Sequence, residues 1–155
     1  MAPEHNPAVG EVRAIGVFPG SVHEAERCWY DTDRWAQWID GLARVLEVTD
    51  GWPHQDSQVV WESVPAGRGR VRELVTRYEP LTGQTVAVED DSITGTQSVA
   101  FEPVAGGVQV ELRLDYAIKR RSPLTALIDR LFVRRLMALS LARTVNRFGA
   151  ALGEG

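Results

Sequence analysis

Across the middle of the chain apolar residues fall at every second position, and near both ends the spacing lengthens to three and four. Alternation marks strands with one buried face; the longer spacing marks helices. The clearest run is 108–118, where Val108, Val110, Leu112, Leu114 and Tyr116 point one way and Gln109, Glu111, Arg113 and Asp115 the other. It predicts a sheet with one dry face and one wet face. Similar runs predict strands at 10–18, 43–49, 58–64, 70–78, 85–89 and 95–102, separated by turn signals such as "TDGWP", "PAGRG", "EPLTG", "DDSITG" and "PVAGG".

Between the first two strands, Ser21 followed by Glu24 has the form of a capping box and predicts a helix over 22–30. A second short helix fits 33–38, capped by Asp31 or Thr32 and stopped by Gly41. Near the other end, Ser122 and Pro123 open a helix from Leu124 to about Leu152, a span of roughly 40 Å. The order strand, two short helices, six strands and long helix predicts an α+β fold. Its seven-stranded antiparallel sheet curves around the long helix, which alone is large enough to cover the dry face.

Leu124, Leu127, Leu131, Ala138, Ala142, Val145 and Gly149 share one sector of that helix and are expected to face the sheet. Small residues in its C-terminal half permit close approach. Leu127, Ile128, Leu131 and Phe132 would hold the N-terminal half farther off and leave a hollow beneath it. In "YDTDRWAQWIDGL" (30–42), Trp35 and Trp38 stand three apart on the second short helix and are expected to close the mouth of that hollow. The same two positions also suit ordinary core packing.

Composition narrows the function classes. At 155 residues, 44% hydrophobic and 25% charged, the chain reads as one domain over 10–153 behind a disordered tail, 1–9. No apolar run approaches the ~20 residues of a membrane helix, so no integral membrane association is expected. The first eight residues lack the basic start and apolar core of a secretion signal, which points to a cytoplasmic protein. A net charge of -4 argues against a nucleic-acid binder, and "KRR" (119–121) reads as a solvated loop. Cys28 is the sole cysteine and is expected to be a buried thiol.

His5, His23 and His54 fall in the tail, a helix start and a turn, and build neither a nucleophile triad nor a zinc signature. "GRGR" (67–70) lacks the strand, spacing and lysine of a phosphate loop and reads as a turn; "EDD" (89–91) reads as a solvated turn. Neither a metal nor another cofactor is expected.

The segments "DTDRWAQWIDGLARVLEV" (31–48), "GRGRVRELVTRYEP" (67–80), "FEPVAGGVQVELRLDY" (101–116) and "LIDRLFVRRL" (127–136), with the element order, resemble the START-like (SRPBCC) helix-grip superfamily. The superfamily includes polyketide cyclases, lipid-transfer domains and the birch pollen allergen (Bet v 1-like) proteins. In particular, the chain is similar to the bacterial polyketide cyclase/dehydrase and lipid-transport family. The resemblance covers nearly all of the chain from about residue 10. It implies a hydrophobic ligand held between sheet and long helix, with catalysis in some members only. One departure is Ala36, where the pattern of the short-helix motif would place proline between the tryptophans.

Cyclase chemistry of this kind needs a few polar groups at inward positions to bend a poly-ketone chain and move protons. Arg135, four residues after Leu131 and about 40° from it around the helix, is expected to point inward and to need a carboxylate partner from Glu62, Glu73 or Glu89. A structural ion pair or an edge position would satisfy it equally. Strand 70–78 allows two registers, one turning Val71, Glu73, Val75 and Arg77 inward and the other Arg72, Leu74, Thr76 and Tyr78. Trp61 is expected to face the interior.

The candidate ligand-binding residues are therefore Trp35, Trp38, Trp61, Glu73, Tyr78, Phe101, Tyr116, Leu131 and Arg135. They suit a binder of a lipid, polyketide or isoprenoid type of small molecule, acting as monomer or homodimer. A cyclase, aromatase or dehydratase using the same cavity is the alternative, and a vestigial cavity with a protein-binding outer face ranks third.

Overall fold

The computed structural model describes residues 9–119 and 126–154. The tail expected over 1–9 lies outside them except for Val9, which opens the first strand. So do Arg120, Arg121 and the helix start expected at Ser122 and Pro123.

The elements follow the predicted order: β1 (Val9–Phe18), α1 (Val22–Tyr30), a 3₁₀ turn (Thr32–Arg34), α2 (Trp35–Trp38), β2 (Leu42–Val48), β3 (Gln58–Ser63), β4 (Arg70–Glu79), β5 (Gly83–Glu89), β6 (Ile93–Val104), β7 (Gly107–Ile118) and α3 (Ala126–Gly153). Local chemistry sets the joints. The Ser21 hydroxyl accepts from the Glu24 amide at 3.1 Å, the N-cap half of the capping box, and donates to the Glu24 carboxylate at 3.2 Å. Asp31 caps the 3₁₀ turn through the Asp33 amide. Gly41 follows α2 at φ 80°, a backbone state that favours glycine.

All neighbouring strands are antiparallel, in the order β1-β7-β6-β5-β4-β3-β2. The first two strands in sequence thus occupy opposite edges, and α1 and α2 carry the chain from one edge to the other across the concave face. This connection places the tryptophan-bearing segment over the interior. On β7, Val108, Val110, Leu112, Leu114 and Tyr116 are buried, as the alternation predicts. Arg13, Arg113, Glu11, Glu111 and Asp115 form a ladder of ion pairs on the wet face.

Strand β4 uses both registers. Val71, Glu73 and Val75 are buried, then a bulge between Val75 and Arg77 shifts the phase, so that Tyr78 rather than Arg77 turns inward.

α3 lies against β1 and β7 and is met by α1 and α2. Its close contact is at the C-terminal half, where the Phe18 ring lies so near Gly16 and Gly149 that a Cβ on either would overlap it. The inner stripe differs from the expected one. Leu141, Thr144, Val145, Phe148, Ala151 and Leu152 are buried, whereas Leu131 is 62% exposed and Ala138, Ala142 and Arg135 are exposed. The true stripe is rotated by roughly 100° about the helix axis. Apolar side chains occur on both sides of α3, so sequence periodicity does not single out one stripe. Packing of Phe148 against Trp29, Trp38 and Phe18 fixes the rotation.

Candidate functional site

The interior holds a hollow of about 40 Å³ between the sheet and the middle of α3. It does not lie beneath the N-terminal half of the helix, where the hollow was expected. A water needs roughly 10–15 Å³ of such volume, so there is room for a few waters or for one polar head group. Trp29, Trp35 and Trp38 form one wall; Ser140, Leu141 and Thr144 of α3 form a second; and inward residues of β3–β7, among them Trp61, Glu73, Val88 and Leu112, form the floor. Arg68 reaches in from the turn between β3 and β4.

The tryptophan wall is built residue by residue. Trp35 and Trp38 are 2% and 0% exposed, their rings 6.3 Å apart edge to face, and Trp29 packs 4.7 Å from Trp38. Such edge-to-face packing adds about 0.5–1.5 kcal/mol per pair beyond the area buried. The Trp35 indole is fixed by donating to the Trp29 carbonyl at 2.8 Å. The Trp38 indole N–H is buried without a partner among the described residues.

A polar chain crosses the floor. Trp61 Nε1 donates to Glu73 Oε2 at 2.6 Å, both groups buried. Burial pushes the Glu73 carboxyl well above its ordinary range; the Trp61 bond and the Arg68 charge oppose this and are outweighed. The Arg68 guanidinium stands 5.5 Å from the Trp61 ring centre and donates through Nε to Asp90 Oδ2 at 2.6 Å. Its Nη2 is buried and, like the Trp38 N–H, has no partner among the described residues. Asp90 in turn accepts from the Ser92 and Ile93 amides, which fixes the turn between β5 and β6.

The hollow is therefore lined by the tryptophans and aliphatic side chains together with a few polar groups, by two residues that each carry a buried N–H without a partner among the described residues, and by a carboxyl held toward its neutral form. Buried donors without acceptors are rare, because each costs on the order of 1–3 kcal/mol. The arrangement suits an acceptor oxygen between Trp38 and Arg68, with Glu73 able to give or take a proton beside it.

Of the sequence-predicted residues, Trp35, Trp38, Trp61 and Glu73 meet at this hollow. Phe101 and Tyr78 are elsewhere: Phe101 packs on Trp29 and Tyr30, while the Tyr78 hydroxyl donates to Glu26 of α1 at 3.1 Å. Tyr116 is buried against Gly10. Leu131 and Arg135 are corrections, because the rotation of α3 turns both outward, and Glu62 pairs with Arg44 instead. "EDD" is corrected in part: Glu89 and Asp91 are exposed, yet Asp90 is buried.

Arg68, Trp29 and the Ser140–Thr144 turn of the helix were not anticipated. For Arg68 the available signal was an arginine between two glycines in one turn and three acids in the next-but-one turn, a charge pair whose depth alternation does not reveal.

The family of polyketide cyclase/dehydrase and lipid transport proteins matches residues 11–153. No curated protein sequence matches the chain. Among solved structures, the Zhui aromatase/cyclase from Streptomyces sp. R1128 superposes with a TM-score of 0.77 at 9% identity, covering 94% of each chain. The protein TTHA0849 from Thermus thermophilus gives 0.74 at 20% identity, over 94% of this chain and 98% of that one. The di-domain ARO/CYC StfQ from the steffimycin biosynthetic pathway gives 0.76 at 18% identity, over 94% of this chain but 51% of StfQ, so this chain spans about half of it. At these identities the likenesses are of fold. With its helix-grip architecture and a match over all but its ends, the chain belongs to the polyketide cyclase/dehydrase and lipid-transport family.

Proposed function

We propose that the protein binds a hydrophobic or amphipathic small molecule, of lipid, polyketide or isoprenoid type, through a carbonyl or carboxylate oxygen seated between Trp38 and Arg68. The observation that carries this reading is that Trp38 and Arg68, each with a buried N–H that has no partner among the described residues, both line one hollow. An apolar wall binds any greasy body of suitable shape, but only an acceptor oxygen satisfies these two N–H groups. With about 40 Å³ enclosed, the hollow takes the ligand's head. The remainder of a longer ligand is assigned to the side of Ile39, Asp40 and Ser140, which are among the half-buried residues of the lining.

Glu73 favours a second reading, a cyclase or dehydratase. A carboxyl kept neutral by burial donates a proton to a carbonyl or departing hydroxyl oxygen under conditions where an exposed glutamate is ionised. The solved neighbours named as aromatase/cyclases share the fold in which this group sits.

Native mass spectrometry of protein purified from its own host tests the first reading: a co-purified small molecule of the wild type should be lost in Trp38→Phe and Arg68→Gln. Its retention in both variants would overturn the assignment of the oxygen site. Incubation with a poly-ketone analogue then separates the readings. Cyclised or dehydrated product made by the wild type and not by Glu73→Gln supports catalysis, and unchanged substrate under binding conditions supports carriage.

A further inference from the structure

The outward side of α3 has no role in the internal site, and its composition is unlike that of an ordinary solvated helix face. Leu131, Phe132, Arg135, Leu136, Leu139 and Arg143 fall within one sector of about 140°. The four apolar members are 62%, 61%, 46% and 44% exposed, respectively. They cannot turn inward, because Leu141, Val145 and Phe148 already occupy the opposite side of the helix.

After Asp129 the charge on this element has one sign. Residues 130–153 contain five arginines and no acid, on a chain whose net charge is -4. Arg147 pairs with Asp40, but Arg134, Arg135 and Arg143 meet no carboxylate within ion-pair distance among the described residues. An exposed apolar sector laced with unpaired arginines has the character of a helix that lies in a lipid headgroup layer. Leucine and phenylalanine side chains enter the acyl boundary there, and arginine stems snorkel to the phosphates.

We propose that the outer face of α3 docks the protein on an anionic phospholipid surface. A second copy of the chain is the poorer occupant. A twofold pairing of these faces would set arginine against arginine, with Asp129 as the one acid on the helix to offset five arginines. No helix of the described residues is long and apolar enough to cross a membrane, so the attachment is peripheral. The inference is independent of the ligand proposed above, although docking would hold the helix wall of the hollow, Ser140 and Leu141, beside the bilayer.

Sedimentation of the full chain with phosphatidylcholine vesicles, with and without about one third phosphatidylglycerol, tests it. Partition onto the phosphatidylglycerol vesicles is expected, with little onto phosphatidylcholine alone and a steep loss as salt rises. The double variants Leu131→Ser/Phe132→Ser and Arg135→Glu/Arg143→Glu should each weaken partition by about tenfold or more. All four positions are exposed, so thermal unfolding should hardly move. Absence of partition, or partition unchanged in both variants, would overturn the proposal. So would a dimer in light scattering that Phe132→Ser converts to monomer, since the face would then belong to a second copy.

Discussion

Trp61 and Glu73, on adjacent strands of the concave face, are joined by an indole-to-carboxyl hydrogen bond of 2.6 Å that is closed off from water. Two groups of the floor are thereby fixed by each other. Neither can be changed without exposing the other's hydrogen-bonding need, which is why the pair governs both the stability of the sheet centre and the protonation of the site.

The first prediction concerns pH. Burial raises the folded-state pKa of Glu73, so the folded protein keeps a proton that the unfolded chain releases once pH passes the ordinary carboxylate range. The stabilisation is full below the unfolded value and is lost as pH rises through the folded one. Glu73→Gln keeps an acceptor for Trp61 and removes the ionisation. Urea unfolding between about pH 4.5 and 8 should show the wild type losing stability relative to the variant as pH rises. A constant difference between the two would contradict a raised pKa. Glu73→Ala should instead cost about 1–3 kcal/mol at low pH, because the Trp61 N–H is left buried and unpaired.

Arg68 and Asp90 give a second test. The Asp90 side chain is fully buried, and Arg68 is its cationic partner. Removing the arginine leaves a carboxylate served by two backbone amides alone. Arg68→Ala is expected to destabilise by about 3 kcal/mol, and Arg68→Lys by less, since one donor can still reach the carboxylate. Asp90→Ala should be at least as damaging as Arg68→Ala, because the Ser92 and Ile93 amides lose their acceptor as well. Chemical denaturation of the three variants sets this order.

Trp38 separates binding from folding. Its indole N–H has no partner among the described residues, so Trp38→Phe removes an unsatisfied donor together with part of the ring. The lost packing and the relieved donor act in opposite directions, and the net change in stability should stay within about 2 kcal/mol. A ligand whose oxygen uses that donor should bind about tenfold more weakly to the variant, as read by titration calorimetry with a ligand released from the wild type. Equal affinity would place the oxygen elsewhere.

The fold was legible because strand alternation and capping chemistry are local. The Ser21–Glu24 box, the 108–118 alternation and the turn signals each specify their element without knowledge of the rest. The site was legible where large aromatics announced it, at Trp35, Trp38 and Trp61, and at Glu73 in one of the two registers open to its strand. The misplacement of Leu131 and Arg135 has one cause. α3 is apolar on two sides, so its rotation is decided by a tertiary contact, Phe18 against Phe148 and Gly149, that joins the two ends of the chain. Strand 70–78 could not be resolved into one register because it has two, joined by a bulge whose position depends on β5. Arg68 escaped notice because a turn arginine normally points to solvent; its burial depends on Asp90, 22 residues away.

That contact is itself open to test. The Phe18 ring fills the space where Gly149 lacks a side chain, and a Cβ there would overlap the ring. Substitution by alanine alone has two opposing effects, since alanine is favoured over glycine inside a helix by about 1 kcal/mol. Gly149→Val removes most of that gain through its branched Cβ and adds bulk that Phe18 must escape. Phe18 is only half-buried, so its ring can swing outward, but doing so gives up the edge contact with Phe148 at 6.3 Å and loosens α3 from β1. The valine variant should therefore lose about 1–3 kcal/mol in urea, and Phe18→Ala combined with Gly149→Val should lose less than the sum of the two single changes, because the clash is absent once the ring is gone. Simple additivity in that cycle would mean that the grip of sheet on helix does not depend on this pair.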